Sequence, residues 1–205
     1  NPFNTISHAS KQLENPKVAW AYLDQSIYSP SLHNLALFRI AMVKRSLFSP
    51  IKKFLKPLSP QETLIHLSSY THPPYKKTLH SLLEKDKDET LILRGLEGSS
   101  QLPLDRRAPY VYFNASDHQT DFFRPEDFGI SLSTPYESIP ITLDEWVKQS
   151  QALIEGKDSA LLLPVVYNTQ VILSRFSHVL PQFSIKDCIK QFKSGAVKAY
   201  WDAYE

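Results

Sequence analysis

With 205 residues, of which 42% are hydrophobic and 21% charged, the chain is long enough to bury one sizeable core and is neither collagen-like nor disordered in composition. Lys and Arg number 23 against 21 Asp and Glu, and a formal net charge of +2 implies no nucleic-acid partner by itself, so any basic feature has to be local. The single cysteine, Cys188, excludes an intrachain disulfide and a cysteine-rich zinc site, and no apolar run comes near the roughly 18 residues of a membrane span.

Residues 5–14 carry the pattern of a short helix, and residues 18–23 (VAWAYL) read as a buried strand closed by Asp24, Gln25 and Ser26. Pro30 then stands at the first turn of a helix whose Leu32, Leu35, Ala36, Phe38 and Met42 recur at three- and four-residue spacing. Ser49-Pro50 opens another short helix, which Pro57 ends. Residues 63–67 (TLIHL) read as a second strand. His72-Pro73-Pro74 starts a helix with Tyr75, Leu79, Leu82 and Leu83 on one face, and residues 89–93 (ETLIL) read as a third strand. Strand, helix, strand is the unit of a parallel sheet, so an α/β fold with a mainly parallel central sheet flanked by helices is expected.

Residues 111–113 and 121–123 predict a hairpin across the polar residues 114–119, too short to stand alone and therefore leaning on the main body. Thr142 and Glu145 form a capping-box pattern in front of Trp146, in a helix that ends near Gly156. Residues 160–176 read as a buried helix with Pro164 marking its first turn or bending it. Ser184 caps a helix through Phe192, which Gly195 stops, and Tyr200, Trp201 and Tyr204 form a terminal aromatic cluster. Cys188, at helical spacing among Ile185, Ile189 and Phe192, reads as a core residue.

There are only five glycines, and none precedes Gly95. A phosphate-cradling loop uses glycine because the backbone must approach the phosphate closely and adopt positive φ, so residues 1–94 carry no such loop. The histidines show no metal-ligand spacing, and no metal site or cofactor is expected. Ser99 and Ser100 lie beside a glycine without the surroundings of a nucleophile elbow. One basic feature is local: between Gln25 and Gln61 there is no acid, while Arg39, Lys44, Arg45, Lys52, Lys53 and Lys56 supply six cations. Such a run is either a solvated face or a surface for an acidic protein, an anionic membrane or phosphate; interleaved Phe48 and Phe54 favour a partner surface.

Four stretches carry a resemblance to a known family. They are residues 18–39 (with AYLDQSIYSPSLHNLALFR), 71–75 (THPPY), 91–106 (LILRGLEGSSQLPLDR) and 123–130 (FRPEDFGI). In this order they resemble the anthranilate phosphoribosyltransferase family, in its C-terminal α/β part, and most closely the trpD-like proteins of cyanobacteria and plastids. The resemblance implies the α/β domain shared with class II nucleoside phosphorylases. It also implies a substrate-side arginine at Arg39, which on an apolar helix is otherwise a structural ion-pair partner, and a His-Pro turn at His72, a residue that reads as an acid–base group or simply as a helix start.

The departures are as informative. Where active members of the family place a metal-binding Asp-Glu pair, this chain has Ser100 and Gln101, and neutral groups do not hold Mg²⁺. Glu97, Asp105 and Arg106 are either a remnant site or surface pairs. The family's N-terminal helical domain and its glycine-rich diphosphate loop have no counterpart in residues 1–205, and the start at Asn1 suits a processed chain or a fragment.

These residues lead to a single α/β domain that serves as a non-catalytic, phosphoribosyltransferase-like subunit or scaffold of a larger assembly. The basic residues Lys44, Arg45, Lys52, Lys53 and Lys56 form its partner surface, and the assembly is expected at a plastid membrane. Two alternatives stay open: a fragment of an active glycosyl or phosphoribosyl transferase, and, more weakly, a nucleic-acid binder.

Overall fold

The computed structural model describes residues 5–18, 20–42, 54–58, 64–70, 72–83, 88–96, 100–114, 118–131 and 142–203, with backbone alone for 36–40 and 42. Three helices come first: α1 (Ile6–Glu14), α2 (Gln25–Tyr28) and α3 (Pro30–Met42). Each of the first two starts on a side-chain cap, Thr5 Oγ1 accepting the His8 N–H and Asp24 accepting the Ser26 N–H. Pro30 sits at the start of α3, where its missing N–H costs nothing.

The sheet follows, built from β1 (Ile65–Ser69), β2 (Glu89–Leu93), β3 (Ala108–Phe113) and β4 (His118–Phe123) in that spatial order, with α4 (Pro74–Leu83) between β1 and β2. The α/β class is as expected. The sheet, however, is mixed: β1 and β2 pair in parallel across α4, while β2–β3 and β3–β4 are antiparallel. The described part of the link at residues 94–107 forms no α-helix to carry the chain back across the sheet, so β3 has to return antiparallel.

Alternation along the strands gives the sheet two buried faces. On one, Leu91, Leu93, Tyr110, Tyr112 and Phe123 pack with Leu102, Leu104, Tyr167, Val171 and Phe176. On the other, Tyr70, Ile92, Val111 and Phe113 pack with Leu79 and Leu83 of α4. Leu82, expected on that face, is 47% exposed, because Leu79 and Leu83 one helical turn apart already form the inward stripe.

After β4 a 3₁₀ turn (Pro125–Phe128) is closed by Gly129 at φ 74°, and helices α5 (Leu143–Ile154), α6 (Leu162–Arg175), α7 (Ile185–Lys193) and α8 (Ala196–Asp202) complete the chain. α6 is the central helix of the first face, with Val166, Tyr167 and Val171 fully buried; Pro164 lies buried in its first turn without breaking it. Ser184 and Asp187 form a complete capping box on α7. At α5 only half of the expected box exists: Thr142 accepts the Glu145 N–H at 3.2 Å, and the glutamate does not return the bond.

The expected strand at residues 18–23 does not form; those described are irregular. Their apolar character has another cause. Trp20 stacks on Trp201 of α8 with ring centroids 5.3 Å apart, and its indole N–H donates to the Tyr200 carbonyl at 3.5 Å. The C-terminal aromatic cluster is thus completed by an N-terminal residue; Tyr204 lies outside the described residues, as do the expected helix start at Ser49-Pro50 and residues 51–53 after it.

Candidate functional site

The turn after β2 is where the resemblance places its metal-binding pair, and the structure shows what holds that turn. Arg94 continues the β2–β3 ladder, its N–H donating to Pro109 O at 3.0 Å, and Leu96 N–H donates to Gln101 O at 2.9 Å. The far arm is fastened to α6. Leu102 N–H donates to Asn168 Oδ1 at 3.0 Å, and Asn168 Nδ2 donates to Pro164 O at 2.8 Å. One amide side chain therefore satisfies a loop donor and a helix carbonyl together, and buried Leu102 and Leu104 bring the chain back into the core.

A cavity of about 280 Å³ lies beside this turn. Ser100 and Gln101 form one wall, Leu67 of β1 and Trp146 of α5 two others, and one side of α6 with its N-cap the last, through Leu161, Pro164, Val165, Asn168, Thr169 and Ile172. Every lining group among the described residues is neutral. Thr169 turns its hydroxyl back onto Val165 O at 2.9 Å, and Asn168 is committed to the turn, so the wall is more apolar than its composition suggests. A site of this kind suits a neutral, mainly apolar ligand or side chain. It does not fit Mg²⁺, whose hard charge requires carboxylates and phosphates. Among the described residues no three His, Cys, Asp or Glu side chains come together.

A second polar constellation lies at the opposite end of the parallel strands and was not read from the sequence. Glu89, at the start of β2, accepts the Tyr112 hydroxyl at 2.7 Å and meets His178 Nε2 at 2.8 Å. The Arg175 guanidinium lies 3.5 Å from the centre of the Tyr112 ring and donates to Gln119 Oε1 at 3.1 Å. Burial, and then Glu89, push the Tyr112 phenol above its ordinary pKa. The cluster ties the end of α6 to three strands. Its members span residues 89–178, so no local motif announces it.

The singled-out residues that the structure describes are dispersed. His72 is exposed just before α4, where its carbonyl accepts the Tyr75 N–H and its ring lies 6.1 Å from Tyr75. Arg39 lies on α3, and its side chain is outside the description, as are Lys44, Arg45, Lys52 and Lys53. Lys56 pairs with Asp88 at 2.6 Å, so the acid-free run in sequence acquires a carboxylate in space. Asp105 and Arg106 pair with each other at 3.0 Å, both more than half exposed, a surface pair worth little. His72, Lys56, Asp105 and Arg106 do not line the cavity.

No family model matches the chain. An uncharacterized protein of Aquifex aeolicus (strain VF5) is 27% identical over 139 residues, which are 67% of this chain and 43% of that protein. In structure the chain is similar to anthranilate phosphoribosyltransferase from Saccharomyces cerevisiae, a serine-to-alanine variant with Mg bound, at a TM-score of 0.70 and 15% identity. That match covers 98% of this chain and 60% of the yeast chain. The chain therefore spans less than half of the Aquifex protein and about three-fifths of the yeast enzyme, and what it shares with the latter is the fold: an α/β arrangement of phosphoribosyltransferase type.

Proposed function

We propose that this chain is a non-catalytic, phosphoribosyltransferase-like protein, a single α/β unit over residues 1–205 that acts by binding, as a subunit or scaffold of a larger assembly. The observation that carries the reading is the neutral wall of Ser100 and Gln101 on an apolar cavity. A phosphoribosyl donor leaves as a diphosphate, and its departing charge requires a metal or a cationic cradle that this wall does not supply. The fold agrees with a transferase ancestry, and the loss of the acidic pair agrees with a scaffold that kept the core and not the reaction. No helix among the described residues is long and apolar enough to cross a membrane. A plastid location draws no support from the fold or from the Aquifex relative, and the proposal is not tied to a compartment. The test is release of diphosphate from phosphoribosyl diphosphate with Mg²⁺, with anthranilate or a nucleobase as acceptor: no release above the protein-free rate is expected.

A second reading has an observation of its own. The partial coverage of both relatives suits a piece of an active transferase whose diphosphate site lies elsewhere in the full protein. Diphosphate release by the full-length protein that survives substitution of Ser100 and Gln101 would favour it.

A further inference from the structure

We propose that the carboxyl end of the parallel strands carries a second, charged docking surface, a row formed by Arg94, Arg107 and Arg124 that receives an acidic segment of a partner protein. The inference rests on the reading of the chain as a binding subunit and gives that reading a surface.

Each arginine stands one residue beyond a strand end, on three neighbouring strands. Arg94 follows β2 and stays in the ladder through its bond to Pro109 O; Arg107 precedes β3; Arg124 follows β4 in extended conformation, at φ −117° and ψ 128°. Because Ala108 pairs with Phe123, Arg107 and Arg124 come opposite each other at the next step. Alternation puts all three on the face of Ile92 and Val111. Arg107 confirms the side, its guanidinium lying 4.5 Å from the centre of the half-exposed Phe122 ring. Neighbouring strands are about 4.8 Å apart, so the row runs about 10 Å across the sheet end. All three arginines are exposed.

The adjoining helix adds to the field. α4 packs on the same face, begins at this end, carries Lys76 and Lys77 in its first turn, and contains no acid. The nearby carboxylates among the described residues belong elsewhere. Asp105 is held by Arg106; Asp121 pairs in register with Tyr110 on the other face, where its carboxylate accepts the Phe122 N–H at 2.8 Å; Glu126 and Asp127 act on Tyr167, also on the other face.

Five cations on one rim match a short cluster of carboxylates, which arginine grips bidentately. A long phosphate polymer fits less well, since on leaving a row about 10 Å long it would meet the acids of the opposite face.

Anisotropy of a fluorescein-labelled hexaglutamate peptide, at low and moderate ionic strength, tests the surface. Wild type is expected to bind with an affinity that falls as salt rises. Arg107→Glu with Arg124→Glu should weaken binding by about tenfold or more, and Lys148→Glu on α5 should not. Unchanged melting of the double variant separates lost docking from lost fold. No binding by wild type, or equal binding by the double variant, overturns the proposal. So does a single-stranded oligonucleotide or a phosphatidylserine vesicle that binds through these arginines when the peptide does not. Diphosphate release by the wild-type chain would instead sink the non-catalytic reading, without altering what the peptide titration says of the row.

Discussion

At Gly156, φ is +72° and a Cβ would sit 2.7 Å from the Phe192 carbonyl oxygen, a backbone atom of α7 that has no free rotation to escape it. Gly129 has the same left-handed conformation, at φ +74°, with open space where a Cβ would lie. The two positions therefore separate conformational strain from collision. Gly129→Ala is expected to cost about 1 kcal/mol and Gly156→Ala about 2–3 kcal/mol, measured by denaturant unfolding. Equal costs would mean that α7 moves aside.

Tyr167 makes a second residue-level case. Its side chain is fully buried, its hydroxyl has no hydrogen-bond partner among the described residues, and burial, followed by Asp127 and Glu126, holds the phenol far above its ordinary pKa. Removing an unsatisfied buried hydroxyl relieves a desolvation cost, so Tyr167→Phe should raise stability by about 1 kcal/mol. The sign of the pH effect follows from the same shift. A folded pKa raised above the unfolded value contributes stability that is present below about pH 10 and is lost as pH rises through the folded pKa. Tyr70, Tyr110 and Tyr112 are raised in the same direction, chiefly by burial. Wild type should therefore lose melting temperature at alkaline pH, and Tyr167→Phe should lose less.

Among the described helices, α6 contributes most to the first buried face, and the depth of each of its residues decides what a charge there costs. Val171 is fully buried, whereas Leu162 and Ile172 are partly exposed and Ile172 borders the cavity. Val171→Asp is expected to destabilise by several kcal/mol or to prevent folding, and Leu162→Asp by clearly less. Comparable melting of the two variants would contradict the packing of α6 on the sheet.

This helix was legible in the sequence, as were β2 and the caps at Ser184 and Thr142, because each is specified by residues within a turn or two of one another. The strand read at residues 18–23 fails for the converse reason. An apolar stretch records that something is covered, and only the distant Trp201 shows that the partner is a helix and not a sheet.

For the whole molecule, the same distinction between local and distant information applies to function. Ser100 and Gln101 could be read against the family resemblance, and the structure places both on a neutral cavity wall. The cluster around Glu89 and the row of Arg94, Arg107 and Arg124 could not be read, because strand pairing, joined in the cluster by the end of α6, assembles them. Lys56 shows the reverse error, an apparently unopposed cation whose partner, Asp88, arrives from the approach to β2.

The central claim is that the site kept its fold and lost its anion chemistry. Calorimetric titration of the chain with phosphoribosyl diphosphate in the presence and absence of Mg²⁺ tests this most directly. No Mg²⁺-dependent heat of binding is expected, because the described residues of the cavity beside the turn offer only neutral groups to a doubly charged ion and its diphosphate. Mg²⁺-dependent binding in the micromolar range, lost when Ser100 and Gln101 are both replaced by alanine, would contradict the account.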